Sequence, residues 1–340
     1  MFYVNVPLAA FALTMILGEL PKDKIQPVKV DWTGLVLMVV AIGALQMTLD
    51  LGESREWFSS KMIQVAALTA IFVGIAFVLR GWSLPHNIID FGILRDRSFA
   101  AANVAVMGFG VSMFGAIAIL PLFVQGLLNY PVTEAGLLFI PRGLTAGFSM
   151  VITGAVLSKR CDLRVLIGLG LLLTGGGNIM LALLNVNAGF WDLAMPGLVS
   201  GLGTGLFFVP LSILAFQNVS AEKQDEASGL YGVTRSLGSS IGIAIIGWQM
   251  TQRAGYHYAT LVSDLTPFNR NVSDWAARLG QTIQSPEAAA SISHEAARQA
   301  SMLAFQDAFL LTGLAAFAMI PMAFLMRKPD QNRSGTGVSH

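Results

Sequence analysis

Charge is scarce in this chain. Of its 340 residues only 12% are Asp, Glu, Lys or Arg, about half the share found in soluble globular proteins. The 21 basic and 20 acidic residues leave a formal net charge of +1, so no basic excess points to nucleic acid and no acidic tail to a solvating role. A single cysteine, Cys161, excludes an intrachain disulfide and a cysteine-based zinc cluster. The four histidines, His86, His257, His294 and His340, are widely separated, so the sequence displays no ligand set for metal catalysis.

What fills the chain instead is apolar: 54% of residues are hydrophobic and the mean hydropathy is +0.64. A hydrocarbon core about 30 Å thick needs roughly 20 predominantly apolar residues per helix. Nine such runs occur, near Phe2–Leu20, Trp32–Leu51, Met62–Leu79, Phe99–Leu128, Glu134–Leu157, Val165–Val186, Trp191–Gln217, Ala227–Met250 and Met302–Met326. The polar stretches between them are too short to supply amphipathic helices that would bury these runs in a soluble protein. The fold class is therefore an all-α membrane protein with nine transmembrane helices.

Short cytoplasmic loops retain Lys and Arg. One set of alternate loops holds Lys22, Lys24, Lys29, Arg80, Arg95, Arg97, Lys159, Arg160, Arg164, Lys223, Arg327, Lys328 and Arg333, against Arg55 and Lys61 in the short loops of the other. Thirteen against two puts the carboxyl terminus inside and, with nine spans, the amino terminus outside. Met1 enters an apolar stretch with no basic flank, so the sequence reads as beginning within a longer protein. In FYVNVP (Phe2–Pro7), Asn5 and Pro7 suit a helix start.

Several segments carry a resemblance. FYVNVP, IIDFGILRDRSF (Ile88–Phe99), LPLFVQGLLNYPVTEAGLLFIPRG (Leu120–Gly143), GFWDLAMPGLVSGLGTGLFFVPL (Gly189–Leu211) and EASGLYGVTRSLGSSIGIAI (Glu226–Ile245) together resemble the major facilitator superfamily, specifically its 14-helix drug:proton antiporter-2 branch of EmrB/QacA type. The resemblance runs from Phe2 to about Lys328 and implies that the nine runs correspond to family helices six to fourteen. It divides the chain into residues 1–30, the last helix of the amino half with a cytoplasmic loop; 31–97, an inserted two-helix hairpin and interfacial linker; 98–328, a six-helix carboxyl half with a long outside loop at 251–301; and 329–340, a cytoplasmic tail.

The resemblance further implies a bacterial inner-membrane exporter of amphipathic small molecules, driven by the proton gradient and without a cofactor. In a two-membrane bacterium it implies a periplasmic adaptor as partner. Family helices one to five, with their acid and antiporter motifs, have no counterpart here. The second-half copy of the family's loop motif falls on Gly154–Arg164, with Ser158 where an acid is usual, which weakens a charge-relay role there.

The residues themselves supply site candidates, because an ionisable group within hydrocarbon costs a few kcal/mol or more and normally faces a cavity or partner. Arg142, directly after Pro141, and Arg235 are the basic candidates. Each reads either as a clamp donating to helix carbonyls or as a gate or lining residue of a substrate path. Asn103, Gln125 and Asn178 are embedded polar groups that could hydrogen-bond a ligand or one another's helices. Asp307 and Glu134 are candidate proton carriers, or simply wet helix ends. Gly197, Gly201 and Gly205, Gly143 with Gly147, and Gly238 with Gly242 fall at four-residue spacing, which permits close helix approach.

Three functions from different classes follow. A proton-coupled exporter is the leading one. A membrane-embedded enzyme would need acid, base or metal-ligand groupings that the loops do not offer. A fragment or scaffold without transport of its own is the third, since alternating access needs two halves moving about a central site.

Overall fold

The computed structural model describes residues 5–19, 31–83, 91–263 and 286–327, and these form two units, Met1–Trp32 and Thr33–His340. The first contains α1 (Asn5–Glu19), 15 residues long. Proline is tolerated in its first turn, where the missing donor has no partner in any case. At 1.5 Å per residue α1 is about 22 Å long, shorter than a hydrocarbon core.

The second unit opens with α2 (Trp32–Gly52) and α3 (Lys61–Ser83), joined by two short 3-10 turns. Their apolar side chains, among them Val36, Val39, Ile71, Phe72 and Leu79, are exposed. Such surface is tolerated only when lipid replaces water around it. Six further segments follow: α4 (Arg97–Pro121); the broken helix α5 (Val132–Leu137), α6 (Phe139–Ile152) and α7 (Ser158–Arg160); α8 (Leu163–Ala182); α9 (Phe190–Phe216); α10 (Gln224–Ser263); and α11 (Pro286–Ala318) continued by α12 (Ile320–Leu325).

Local chemistry sets their ends. Asp96 caps α4 by accepting from the Phe99 amide at 2.9 Å, and Asp162 caps α8 by accepting from the Arg164 amide at 3.0 Å. Past Pro121 the chain widens into a π turn over Leu122–Leu127, where the Leu128 amide reaches back five residues to the Phe123 carbonyl. Asn129 then takes φ 57, a left-handed turn that asparagine accommodates more readily than most residues. The α5–α6 break at Leu138 lies next to Leu137, four residues before Pro141 and thus where the proline ring displaces a helical carbonyl.

Among the described residues, seven helices are long and apolar enough to cross a membrane: Trp32–Arg55, Lys61–Trp82, Arg97–Leu127, Val132–Arg160, Leu163–Ala182, Phe190–Phe216 and Ala289–Leu325. The other two expected spans differ for distinct reasons. The described part of the first run is the short α1. The eighth run lies within α10, a 40-residue helix diluted by Arg235, Ser236, Ser239, Ser240 and Gln249, which hides its small residues against neighbours. Helix enters the expected outside loop from both ends: α10 continues to Ser263 and α11 begins at Pro286, while residues 264–285 fall outside the described residues. Of the expected interfacial segment, Phe91–Arg95 forms a 3-10 turn and residues 84–90 lie outside the description, as do the loop Pro21–Val30 and the tail after Arg327.

The six segments form two triplets of opposite direction. The first is α4, α5–α7 and α8; the second is α9, α10 and α11 with α12. α4 packs on α10 as α9 packs on α6, and α8 packs on α9 as α4 packs on α11. Exchanging the triplets maps these four contacts onto one another, as in an inverted repeat, while the packing of α10 on α11 has no counterpart of that kind between α6 and α8. The parallel pairs are glycine-mediated: a Cβ on Gly238 would stand 2.8 Å from the Met107 Cα, so only hydrogen lets α10 lie against the α4 backbone there. Phe109 stacks on Phe207 with centroids 3.9 Å apart in one apolar cluster, and Phe123 packs on Phe305 and Phe309 in another.

Candidate functional site

A polar layer crosses this bundle. Asn178 on α8 donates from Nδ2 to the Ser112 Oγ of α4 at 3.2 Å, and both residues are buried. On the next face of α8, a Cβ at Gly177 would meet Ser200 of α9, and the Thr174 hydroxyl donates to the Ser200 carbonyl at 3.5 Å. The neighbouring α9 residue, Gly201, faces the opposite way, onto the Arg142 carbonyl and Thr145 of α6. Ser112, Asn178, Ser200 and Arg142 therefore lie along one route through α4, α8, α9 and α6.

Arg142 is the charged member. It is 7% exposed and sits ten residues into its span of 29. Its Nη2 has no hydrogen-bond partner among the described residues. The local backbone is held by Thr145, whose hydroxyl donates to the carbonyls of Pro141 at 3.0 Å and Arg142 at 3.1 Å. Ser149, two turns on, donates to the Leu202 carbonyl at 2.6 Å and pins α6 to α9. Burying a guanidinium while leaving a donor unpaired is costly, so this position is fixed by packing and open to an acceptor.

The other candidates separate. Asn178 also leaves Oδ1 unpartnered, as does Asn103, whose Nδ2 donates back to the Phe99 carbonyl of its own helix at 2.9 Å. Gln125 is half-buried in the π turn after Pro121. Pro141 acts through the helix break. Arg235 is exposed, with its carbonyl rather than its side chain turned to Gly110 of α4, and Glu134 is exposed in the first turn of α5. Asp307 is half-buried and paired with α10: its Oδ2 lies 2.9 Å from His257 Nε2 and 3.5 Å from Arg253 Nε. Sequence reasoning did not single out Ser112, Arg253 or His257. For the last two a signal existed, since they stand four apart on one helical face.

A separate groove of about 660 Å³ lies between α2 and α3, lined by Val39, Val40, Met47, Met62 and Val65; apart from Lys61 and Thr69 its walls are apolar. It offers few groups to orient a ligand.

Six helices in two triplets of opposite direction, with lipid-compatible outer surfaces and a buried polar layer, are an arrangement found in membrane transporters. The model of the Major Facilitator Superfamily matches residues 1–243. Multidrug export protein EmrB of Escherichia coli is 27% identical over 345 residues, covering 100% of this chain and 67% of that protein. Fatty acid resistance protein FarB of Neisseria gonorrhoeae is 25% identical, covering 98% and 66%. A Multidrug resistance protein B homolog of Mycobacterium tuberculosis is 25% identical, covering 98% and 62%. The chain belongs to the Major Facilitator Superfamily. It is thus a multi-pass membrane protein of a transporter family rather than an enzyme family, similar along its whole length to EmrB-type exporters, and it spans about two thirds of the length of these relatives.

Proposed function

We propose that the chain serves proton-coupled export of amphipathic small molecules across a bacterial inner membrane, with its amino terminus outside and its carboxyl terminus in the cytoplasm. The observation that carries this reading is Arg142: a buried guanidinium with an unpaired Nη2, beside the Gly197–Gly201 face of α9, within a repeat able to rock. Arg142 and Asn178 line or gate the substrate path, with Gln125, Asn103 and Pro141 shaping it. Arg235 serves as a gate at the face where α10 is exposed. Asp307 and Glu134 are the carboxylates for proton coupling. The names of the relatives, multidrug export and fatty acid resistance, support amphipathic cargo, and a periplasmic adaptor is the partner proposed for a two-membrane bacterium.

A second reading follows from the relatives being longer: the 340 residues act as a fragment or scaffold without transport alone. One experiment addresses both. The chain, and any longer product of its reading frame, are reconstituted into liposomes with an imposed pH gradient and a fluorescent amphipathic dye. Dye flux that collapses with a protonophore supports export, and flux by the 340-residue chain itself removes the scaffold reading. Flux by neither form overturns the proposal.

A further inference from the structure

We propose that His257, Asp307 and Arg253 form a proton-binding site tying α10 to α11, on the side that the proposed orientation places outside. Two nitrogen-bearing side chains, one turn apart on α10, converge on a single carboxylate oxygen of α11, Asp307 Oδ2, at 2.9 Å from His257 Nε2 and 3.5 Å from Arg253 Nε. Exposure grades across the group, from 50% for the Arg253 side chain to 31% for Asp307 and 19% for His257. The carboxylate is on a fixed helix: Phe305 and Phe309 flank it and pack on Phe123, and Gln306 donates to the Leu184 carbonyl at 2.7 Å. The guanidinium has a second seat, lying 5.9 Å above the Tyr256 ring, which meets the His257 ring edge-on at 5.6 Å.

The protons can be counted. An ionised carboxylate only accepts, so the neutral imidazole carries its hydrogen on Nε2, and an incoming proton binds at Nδ1. Before uptake Arg253 and Asp307 balance; after uptake the group carries one net positive charge. The Nε2–H···Oδ2 bond, already assisted by the charge on the carboxylate, then has both partners charged, while the more exposed Arg253 is displaced toward Tyr256. Proton uptake thus exchanges the partner of Asp307 and tightens α10 against α11 through His257.

Among the described residues, the other charged and titratable groups near this exchange are few or already engaged. The 3-10 turn packed on α10 carries Glu53 and Arg55, and Glu53 is already engaged by Thr251 and by Trp57 Nε1. Glu295 and Arg298, nearer the start of α11, pair with each other at 3.5 Å. Tyr256 and Tyr258 complete the titratable groups of this end of α10. Residues 111–129 of α4 and its π turn, and 176–184 at the end of α8, contain no titratable side chain.

The site stands without the export reading; its role in coupling rests on it. The test is ring NMR of the purified 340-residue chain in nanodiscs with isotope-labelled histidine, the His257 signal being identified by its loss in His257→Gln. The pH response of that signal in wild type changes in Asp307→Asn and changes in the opposite sense in Arg253→Gln, because a carboxylate favours the added proton and a guanidinium opposes it. A pH response unmoved by both variants overturns the site. If both changes occur but dye flux by the transporting form keeps its pH dependence in His257→Gln, the coupling role is overturned and the site is not.

Discussion

Gly197 and Gly201 lie one turn apart on the same face of α9, yet alanine should act oppositely at the two. At Gly197 a Cβ would stand 3.6 Å from the Arg142 Cβ and 3.9 Å from the Leu138 carbonyl oxygen, ordinary contacts. Gly197→Ala therefore keeps the helix-propensity gain of about 1 kcal/mol. At Gly201 the Cβ would overlap the Arg142 carbonyl oxygen and the Thr145 Oγ1, and stand 3.2 Å from the Arg142 carbonyl carbon. The hydroxyl can rotate away. The carbonyl belongs to the α6 backbone and cannot, so α6 and α9 must separate, at an overpacking cost of about 1–3 kcal/mol. Propensity cancels between the two variants, leaving the steric cost as their difference. Reversible unfolding in detergent, with both variants measured against wild type, reads that difference. Equal stability within about 0.5 kcal/mol would show that α6 and α9 do not approach as described and would refute the reasoning.

Asp96 caps α4 and also accepts from Asn218 Nδ2 at 3.0 Å, so Asp96→Ala should destabilise the chain by about 0.5–2 kcal/mol, measured by the same unfolding assay. Asn178→Leu removes the contact to Ser112 and the unpaired Oδ1 together. Its stability should change by less than about 1.7 kcal/mol, the upper end for such bonds in membranes, while dye flux falls at equal membrane abundance; intact flux would make Asn178 a packing residue.

Length and apolarity made most helices legible in the sequence, because a run that must satisfy its own backbone in lipid has one way to fold. What was not legible is where polar residues meet. Ser112 and Asn178 are 66 residues apart and His257 and Asp307 are 50 apart, so no local pattern links them. α10 escaped full recognition because its outer third, with Gln252, Arg253 and His257, reads as loop by hydropathy while packing on α11 holds it helical. Arg142 and Arg235 look alike in sequence, each an arginine within an apolar run. Helix phase separates them: one falls on a buried face and the other on an exposed one.

Arg142 is where transport and structure meet most directly. In proteoliposomes containing the transporting form at matched protein levels, Arg142→Ala should lower proton-driven dye flux about tenfold or more, equivalent to about 1.4 kcal/mol. Arg142→Lys should recover part of it, since lysine keeps the charge without the planar fork of donors. Flux equal to wild type in the alanine variant, at equal abundance and thermal stability, would contradict the account.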